Sequence, residues 1–335
     1  GMIFWTLNLY EDKLIDRPKD AFGRFSASTS LAYRNNYLEY PYIEYILEFI
    51  RVKLKIDELY KKSPQLYLSH DLDYPPNSLS LSNIKSCIKC FLLNKDISPF
   101  FYTFRNWLNL FFKKGISKYY LIEWLIVAYK KNKLKAFFFV QSFDSKIVRH
   151  KHDCEYNISS LSLINLINRI TSNNHSVGLH LSLLQNNLNN SIQKQIDNYK
   201  EIISQLSNFQ KSFYANRAHF LQFEDIDNYF DLLSDNQIND DYSVGFHDMP
   251  GFRVGTGNKY NLYHPKNKIN INPLICMEVS LTSYMKLGFS KKIEQNILLL
   301  AKRSYEFRSD FSILWHDNNL ISKKQKKLFL SILEG

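Results

Sequence analysis

Short apolar stretches with the length of buried strands alternate along this chain with longer stretches of helical periodicity. The strand candidates are 66–71, 134–140, 177–181, 211–216, 274–280 and 311–316. The helical candidates that separate most of them are 158–172, 191–207, 223–234 and 290–307. Strands that alternate with helices form a parallel sheet with helical crossovers. The length of 335 residues is ordinary for one α/β barrel.

The first 60 residues precede this alternation and have a different pattern. Residues 3–9 suggest a short opening strand, and apolar residues at near-helical spacing predict a helix over 41–55. We therefore expect an N-terminal extension, residues 1–60, packed on a barrel formed by residues 61–335. A basic, aromatic helical insertion is expected over about 79–130, either packed on the barrel or in contact with a membrane surface.

The first barrel strand ends in an acidic motif. Residues 66–73 read LYLSHDLD, so that Asp71 and Asp73 close an apolar run. Because residues i and i+2 of a strand point to one face, the two carboxylates should leave the strand side by side. Two carboxylates at such a short distance repel each other unless a cation lies between them. The motif therefore suits a metal site with one carboxylate left over as a base, or else a strand that runs into a solvated acidic turn.

Three further strand candidates end in residues that can do chemistry. His180 ends the third strand, Arg217 and His219 follow the fourth, and His316 follows the last. Parallel α/β barrels place their active sites at the C-terminal ends of the strands. This coincidence favours a functional site over a solvated turn.

Charge and composition narrow the range of partners. The net charge of +11 favours anionic partners such as phosphate-bearing substrates, acidic glycans or a membrane surface. No aromatic-basic motif accompanies the charge, so we expect no nucleic-acid partner. Cys87 and Cys90 form a lone C-x-x-C, which is insufficient for a zinc ribbon. Without a secretion signal or a bilayer-length apolar run, the sequence is typical of a cytoplasmic protein.

In order along the chain, these motifs resemble the polysaccharide deacetylases, the NodB-like carbohydrate esterase superfamily, and more closely a bacterial branch associated with surface polysaccharides. The matching stretches are GRF at 23–25, SLAY at 30–33, YL at 37–38, SHDLD at 69–73, AFFFV at 136–140, HSVGLH at 175–180, RAHFL at 217–221, GF at 245–246, GFRVGT at 251–256 and LWHDN at 314–318. The resemblance implies a distorted (β/α)7-type, TIM-like barrel.

The resemblance also implies an activity, the metal-dependent hydrolysis of an N-acetyl or O-acetyl group on a saccharide or saccharide precursor. By position, Asp71 is the base, Asp73 and His180 are metal ligands, and His316 is the general acid. Arg217 would hold Asp71 in its ionised form. The family's aspartates are adjacent, whereas here one residue separates them, so the roles of Asp71 and Asp73 could be exchanged.

The metal-binding motif departs from the family pattern. The family supplies two histidines as H-x-x-x-H, but the second position after His180 is Leu184, which cannot bind a metal. His219 or His70 could complete the set, because both lie at neighbouring strand ends. A divalent cation, with zinc the first candidate, is the expected cofactor. A carbohydrate-binding protein that has lost catalysis is the alternative.

Candidate substrate contacts follow from two of the matching stretches. Phe252 and Arg253 lie in a glycine-rich loop, where a ring could stack on a sugar and a guanidinium could pair with phosphate or carboxylate. The same loop could also be only a turn-rich connection. Trp315 precedes the predicted acid and is a third candidate. The expected substrate is a saccharide, with a nucleotide- or lipid-linked precursor suited to the basic charge.

Overall fold

The computed structural model describes residues 1–14, 17–56, 63–73, 97, 101, 120–143, 150, 152–154, 156–183, 188–206, 214–223, 225–263 and 268–334. The predicted barrel is confirmed as a curled, nine-stranded half-barrel within these residues, with the strand order β6-β7-β5-β4-β3-β2-β1-β9-β8. The strands are β1 Leu66–Leu72, β2 Ala136–Val140, β3 Ser176–Leu181, β4 Ala215–Ala218, β5 Asp240–Asp241, β6 Tyr260–Asn261, β7 Asn270–Ile271, β8 Cys276–Met277 and β9 Phe311–Leu314.

Helices flank the sheet and cross between its strands. They are α1 Met2–Leu7, α2 Tyr10–Leu14, α3 Leu31–Arg34, α4 Tyr42–Lys53, α5 Tyr120–Asn132, α6 Leu161–Ser172, α7 Leu188–Ser204, α8 Ile226–Asp235, α9 Lys291–Glu306 and α10 Lys323–Glu334. Their apolar residues recur at helical spacing, as in α6, where Leu163, Leu166 and Ile170 are buried. None of the helices within the described ranges is long and apolar enough to cross a membrane.

The order of the central strands fixes where the site can lie. β1 pairs in parallel with β2 on one side and with β9 on the other, and β3 and β4 continue the sheet beyond β2. Strands that are buried on both faces carry continuous apolar runs, and β2 is such a run, AFFFV. Since these strands are parallel, their C-terminal ends meet along one edge.

The predicted opening strand over 3–9 is wrong, because the chain forms helix α1 there. A short apolar run fits a buried strand and a buried helix equally well by periodicity. A strand requires a neighbour to satisfy its backbone, whereas α1 satisfies its own amides and continues into α2 through Leu9. The helix predicted over 41–55 is confirmed as α4.

Several strand boundaries differ from the prediction and change which residues lie inside the sheet. β9 ends at Leu314, so Trp315 and His316 follow it. β4 extends to Ala218, so Arg217 lies within the strand and not after it. β8 has only two residues, and the chain after it forms a π-helical turn at Ser280–Tyr284. Most of the predicted insertion at 79–130 lies outside the described residues, as do Cys87, Cys90 and Leu184.

The N-terminal region, residues 1–56, packs on the barrel through the glycine-rich loop 251–256. The backbone amide of Phe252 donates to the carbonyl of Leu38 over 2.7 Å, and Ile43 donates to the carbonyl of Gly255 over 3.0 Å. Arg253 forms an ion pair with Asp12, with Nη2 and Oδ1 2.9 Å apart. The loop is therefore one of the places where the N-terminal region joins the barrel.

Candidate metal centre and active site

Three buried side chains converge where β1, β3 and β4 end. Asp73 directly follows β1, His180 lies near the end of β3, and His219 directly follows β4. One potential ligand atom from each lies within 4.8 Å of the others. The neighbouring parallel strands bring these residues together although more than a hundred positions separate the first from the second.

His180 directs its Nε2 toward this cluster. Its Nδ1–H donates to the backbone carbonyl of Arg217 over 2.9 Å, which leaves Nε2 as the atom that a metal could bind. That Nε2 lies 3.1 Å from Asp73 Oδ1 and 3.6 Å from Asp71 Oδ2. Among the described residues it has no aligned hydrogen-bond partner. Burial lowers the pKa of His180, but the two aspartates outweigh this and raise it above its ordinary value.

His219 is held by a second carboxylate behind it. Its Nδ1 lies 3.2 Å from Asp153 Oδ1, and its Nε2 lies 3.8 Å from Asp73 Oδ1. Asp153 also accepts a hydrogen bond from the Ser182 hydroxyl over 2.5 Å. Burial would raise the pKa of Asp153, yet bonds to His219 and Ser182 lower it. A carboxylate behind a histidine fixes the ring orientation and leaves the other nitrogen for a metal.

The donor set fits a divalent cation. Burial alone would raise the pKa of Asp73, but His219 and His180 hold it well below its ordinary value. One carboxylate and two imidazoles are ligands that zinc accepts, and three protein ligands leave a position open for chemistry. The unpartnered nitrogen of His180 is the polar atom that such an ion would satisfy. Asp73, His180 and His219 could therefore hold a metal ion.

His70, the other candidate for a third ligand, belongs to the core. It is fully buried, its Nδ1–H donates to the carbonyl of Trp315, and its Nε2 accepts from the hydroxyl of Tyr129, each over 2.5 Å. Alternation along β1 places His70 on the face opposite to Asp71. Both ring nitrogens are used, so this candidate is wrong.

Asp71 lies beside the cluster and next to a buried guanidinium. Its Oδ1 is 3.8 Å from Arg217 Nε, and among the described residues this oxygen has no hydrogen-bond partner. Arg217 donates to the Ser69 hydroxyl over 3.0 Å and stacks on the Phe139 ring at 4.8 Å. Burial lowers the pKa of Arg217, and the charge of Asp71 opposes this. The two aspartates do face one side, as the strand alternation predicts.

His316 approaches the cluster from the last strand. Its Nδ1 lies 2.9 Å from Glu278 Oε1, and its Nε2 lies 3.7 Å from Asp73 Oδ2. Burial would lower the pKa of His316, but Glu278 raises it to about 10. Glu278 is itself fully buried and also accepts a hydrogen bond from the Asn319 amide over 2.8 Å. A proton on Nε2 of His316 would therefore lie on the side of the cluster.

Sequence reasoning missed the two carboxylates that orient the histidines. Glu278 follows the short β8 strand directly, and its signal was the same as for Asp71, a charged residue at the end of an apolar run. Asp153 lies in a loop after β2, in a polar stretch without periodicity. No local pattern could have distinguished it from a solvated aspartate.

The three residues predicted to contact the substrate, Phe252, Arg253 and Trp315, are buried or bound to other residues. Phe252 and Trp315 are fully buried in the main hydrophobic core, where neither ring has a free face for a sugar. Arg253 is bound to Asp12 and to the carbonyl of Gly245, and its side chain is 10% exposed. The sugar-binding role predicted for these three residues is therefore at odds with their burial. The alternative interpretation of the loop, a connection, agrees with its contacts.

Comparisons with known proteins support the fold. Residues 1–58 match a family of unknown function, DUF7033. No curated protein matches the chain. A crystal structure of a candidate polysaccharide deacetylase from Mycobacterium smegmatis superposes with a TM-score of 0.52 at 9% identity, covering 83% of this chain and 85% of that one. A second, from Bordetella bronchiseptica and described as involved in O-antigen biosynthesis, gives a TM-score of 0.41 at 11% identity, with 76% and 72% covered. The chain shares the barrel fold found in the first of these structures.

Proposed function

We propose that this protein is a metal-dependent carbohydrate deacetylase that hydrolyses an N-acetyl or O-acetyl group on a saccharide. One observation carries the proposal, the buried cluster of Asp73, His180 and His219 beside Asp71 and His316. These residues could supply metal ligands, a base and an acid around one point at the strand ends. The fold shared with the mycobacterial structure agrees with this assignment.

Asp73, His180 and His219 would hold the cation. A divalent metal in this position supplies Lewis-acid polarisation of a carbonyl and a lower pKa for water. Zinc agrees with the mixture of nitrogen and oxygen ligands. Asp153 and the carbonyl of Arg217 keep the two imidazoles in the tautomer that directs Nε2 to the cluster.

Asp71 would take the proton from the attacking water. Its Oδ1 is free of hydrogen bonds from the described residues and lies 3.8 Å from Nε of Arg217. Asp73 makes the closer contact with His180, 3.1 Å against 3.6 Å for Asp71. We therefore assign Asp73 as the ligand and Asp71 as the base, in the order that the family resemblance implies.

His316 would donate a proton to the leaving amine or alcohol. A general acid must hold its proton at the working pH, and Glu278 provides for this by raising the pKa of His316. Its Nε2 lies 3.7 Å from Asp73 Oδ2, close enough to the cluster to reach a bound substrate. Base and acid thus approach the reacting centre from β1 and β9.

The substrate class follows from the fold and the charge. We infer a saccharide or saccharide precursor of surface-polysaccharide metabolism, and the net charge of +11 favours one linked to a nucleotide or lipid phosphate.

The alternative, a non-catalytic carbohydrate-binding protein, rests on Leu184, which stands where the resemblance implies a metal-binding histidine. His219 would supply the third ligand that this alternative assumes to be missing, and its position beside Asp73 and His180 favours the enzyme.

A matched pair of variants tests the proposal. Asp73→Asn should abolish tight zinc binding, whereas Asp71→Asn should keep the zinc and lower the rate of acetate release by about 10²–10⁴-fold, the usual contribution of a general base. Zinc affinity is measured by competition with a chelating dye, and acetate release from UDP-linked N-acetylhexosamines and from chitooligosaccharides. A wild-type protein that binds no metal and releases no acetate from any of them would contradict the proposal.

A further inference from the structure

Three half-buried aromatic rings lie beside the candidate metal site formed by Asp73, His180 and His219. None of them is used by the proposed chemistry. Phe22 stacks on Phe220, with centroids 4.7 Å apart and planes 10° apart. His152 meets both rings edge-on, at 5.9 Å from Phe22 and 5.8 Å from Phe220. We call these three residues the aromatic shelf.

The shelf is attached directly to the ligand shell. Phe220 follows His219 in the chain, and their ring centroids are 4.4 Å apart. His152 immediately precedes Asp153, the carboxylate that orients His219. The rings of Phe22, Phe220 and His219 therefore form a continuous row from the partly exposed surface to the buried cluster.

The backbone under the shelf is strained and is held by the N-terminal region. Phe220 and Leu221 have φ values of 60° and 54°, which cost free energy for side chains of this size. Arg24 donates to the carbonyl of Phe220 over 2.8 Å and is itself held by the carboxylate of Asp20. Asp20 also accepts from the amide of Phe22 over 2.9 Å. Backbone strain that is held in place by such hydrogen bonds is typical of a ligand site.

We propose that the aromatic shelf is a saccharide-binding subsite next to the metal cluster, with its outer ring supplied by the N-terminal region. The inference rests on the proposed function, since a sugar whose acetyl group lies at the cluster must extend its next unit toward the surface. The three residues are half-buried, and aromatic rings of this kind line sites for small ligands and can bind the apolar face of a sugar ring. The shelf would then select for oligosaccharides over single sugars.

The test compares Phe22→Ala with a matched control. Phe4, also in the N-terminal region, contacts Tyr10 and Tyr263 and is 44% exposed, so Phe4→Ala removes a similar ring away from the cluster. The probes are chitotriose and N-acetylglucosamine, with affinities measured by calorimetry on the zinc-loaded protein. Zinc affinity and thermal stability are measured for each variant.

Phe22→Ala should bind chitotriose about tenfold more weakly, the loss of one aromatic contact. Its affinity for N-acetylglucosamine and for zinc should stay unchanged, and Phe22→Trp should restore chitotriose binding. Phe4→Ala should behave as the wild type. A merely structural role for Phe22 would instead lower stability and leave the ratio of the two sugar affinities unchanged, which would overturn the proposal, as would a wild type that binds neither probe.

The two proposals can fail separately. Unchanged chitotriose affinity in Phe22→Ala together with acetate release by the wild type would reject the shelf and leave the deacetylase standing. Shelf-dependent binding without acetate release from any substrate would reject the deacetylase and support the shelf.

Discussion

Glu278 and His316 form a buried pair in which the carboxylate determines the protonation of the imidazole. Glu278→Gln keeps the shape of the side chain and a hydrogen-bonding group near His316 but removes the charge that raises the pKa of the imidazole. His316 would then lose its proton at lower pH. We expect kcat to fall, and the alkaline limb of its pH profile to move to lower pH, with zinc affinity close to wild type. An alkaline limb at the wild-type position would show that His316 is not the acid.

His70 illustrates a histidine whose neutral form is required by the core. Burial lowers its pKa from the ordinary 6.5 to about 3. Below pH 6.5, His70 is therefore protonated in the unfolded chain but stays neutral in the folded chain. The free energy of unfolding falls as the pH drops toward 3. Between pH 7 and pH 4 this residue should remove about 3 kcal/mol from the free energy of unfolding.

The His70 effect is measured by urea unfolding across this pH range, with His70→Gln as the comparison. The amide can replace both hydrogen bonds without titrating. The variant should therefore lose less stability on acidification than the wild type. Equal acid sensitivity of both proteins would show that other groups, such as His175 with its pKa lowered to about 4 by burial, account for the effect.

At the scale of elements, the glycine-rich loop 251–256 is a connector whose glycines permit close packing. Gly255 has a φ of +70°, and an added Cβ would lie 2.4 Å from the ring of Tyr42 in α4. Gly288 also has a positive φ, +55°, but an added Cβ would meet nothing within 4 Å. Alanine substitutions at Gly255 and Gly288 therefore separate the cost of backbone strain from the cost of a steric clash.

Gly288→Ala should cost about 1 kcal/mol in the free energy of unfolding, from the left-handed backbone alone. Gly255→Ala should cost about 3 kcal/mol or more, because the overpacking of Tyr42 is added to the same strain. Chemical unfolding of both variants gives these values. Equal losses would mean that α4 moves away from the loop without cost.

The sequence predicts β1–β4, β8 and β9, because parallel strands carry continuous apolar runs and end in polar residues, but it misses the two-residue strands β5, β6 and β7. The positions of Asp73, His180 and His219 could be predicted by the same logic, since neighbouring parallel strands end together. The helix α1 could not, because its six residues, MIFWTL, contain too little periodicity. The roles of Phe252 and Arg253 also required the structure, since their partners Leu38 and Asp12 are more than 200 positions away.

At the scale of the whole molecule, the N-terminal region and the barrel share one set of buried contacts. Phe246 of the barrel packs with Leu38, Tyr42 and Ile43 in one cluster, and Arg253 forms its ion pair with Asp12 between the two parts. We propose that residues 1–60 are an extension of the barrel and do not fold separately. Calorimetry should then give one unfolding transition, and two resolved transitions would contradict this.

The central claim is that Asp73, His180 and His219 hold the catalytic metal, with His219 in place of the second histidine of the family motif. Anomalous scattering from crystals of the zinc-loaded protein, collected above and below the zinc edge, tests it most directly. The account predicts one strong peak at zinc-ligand distance, about 2.0–2.2 Å, from Asp73 and from Nε2 of both histidines. A peak bound by other residues, or no peak in a protein that releases acetate, would contradict the account.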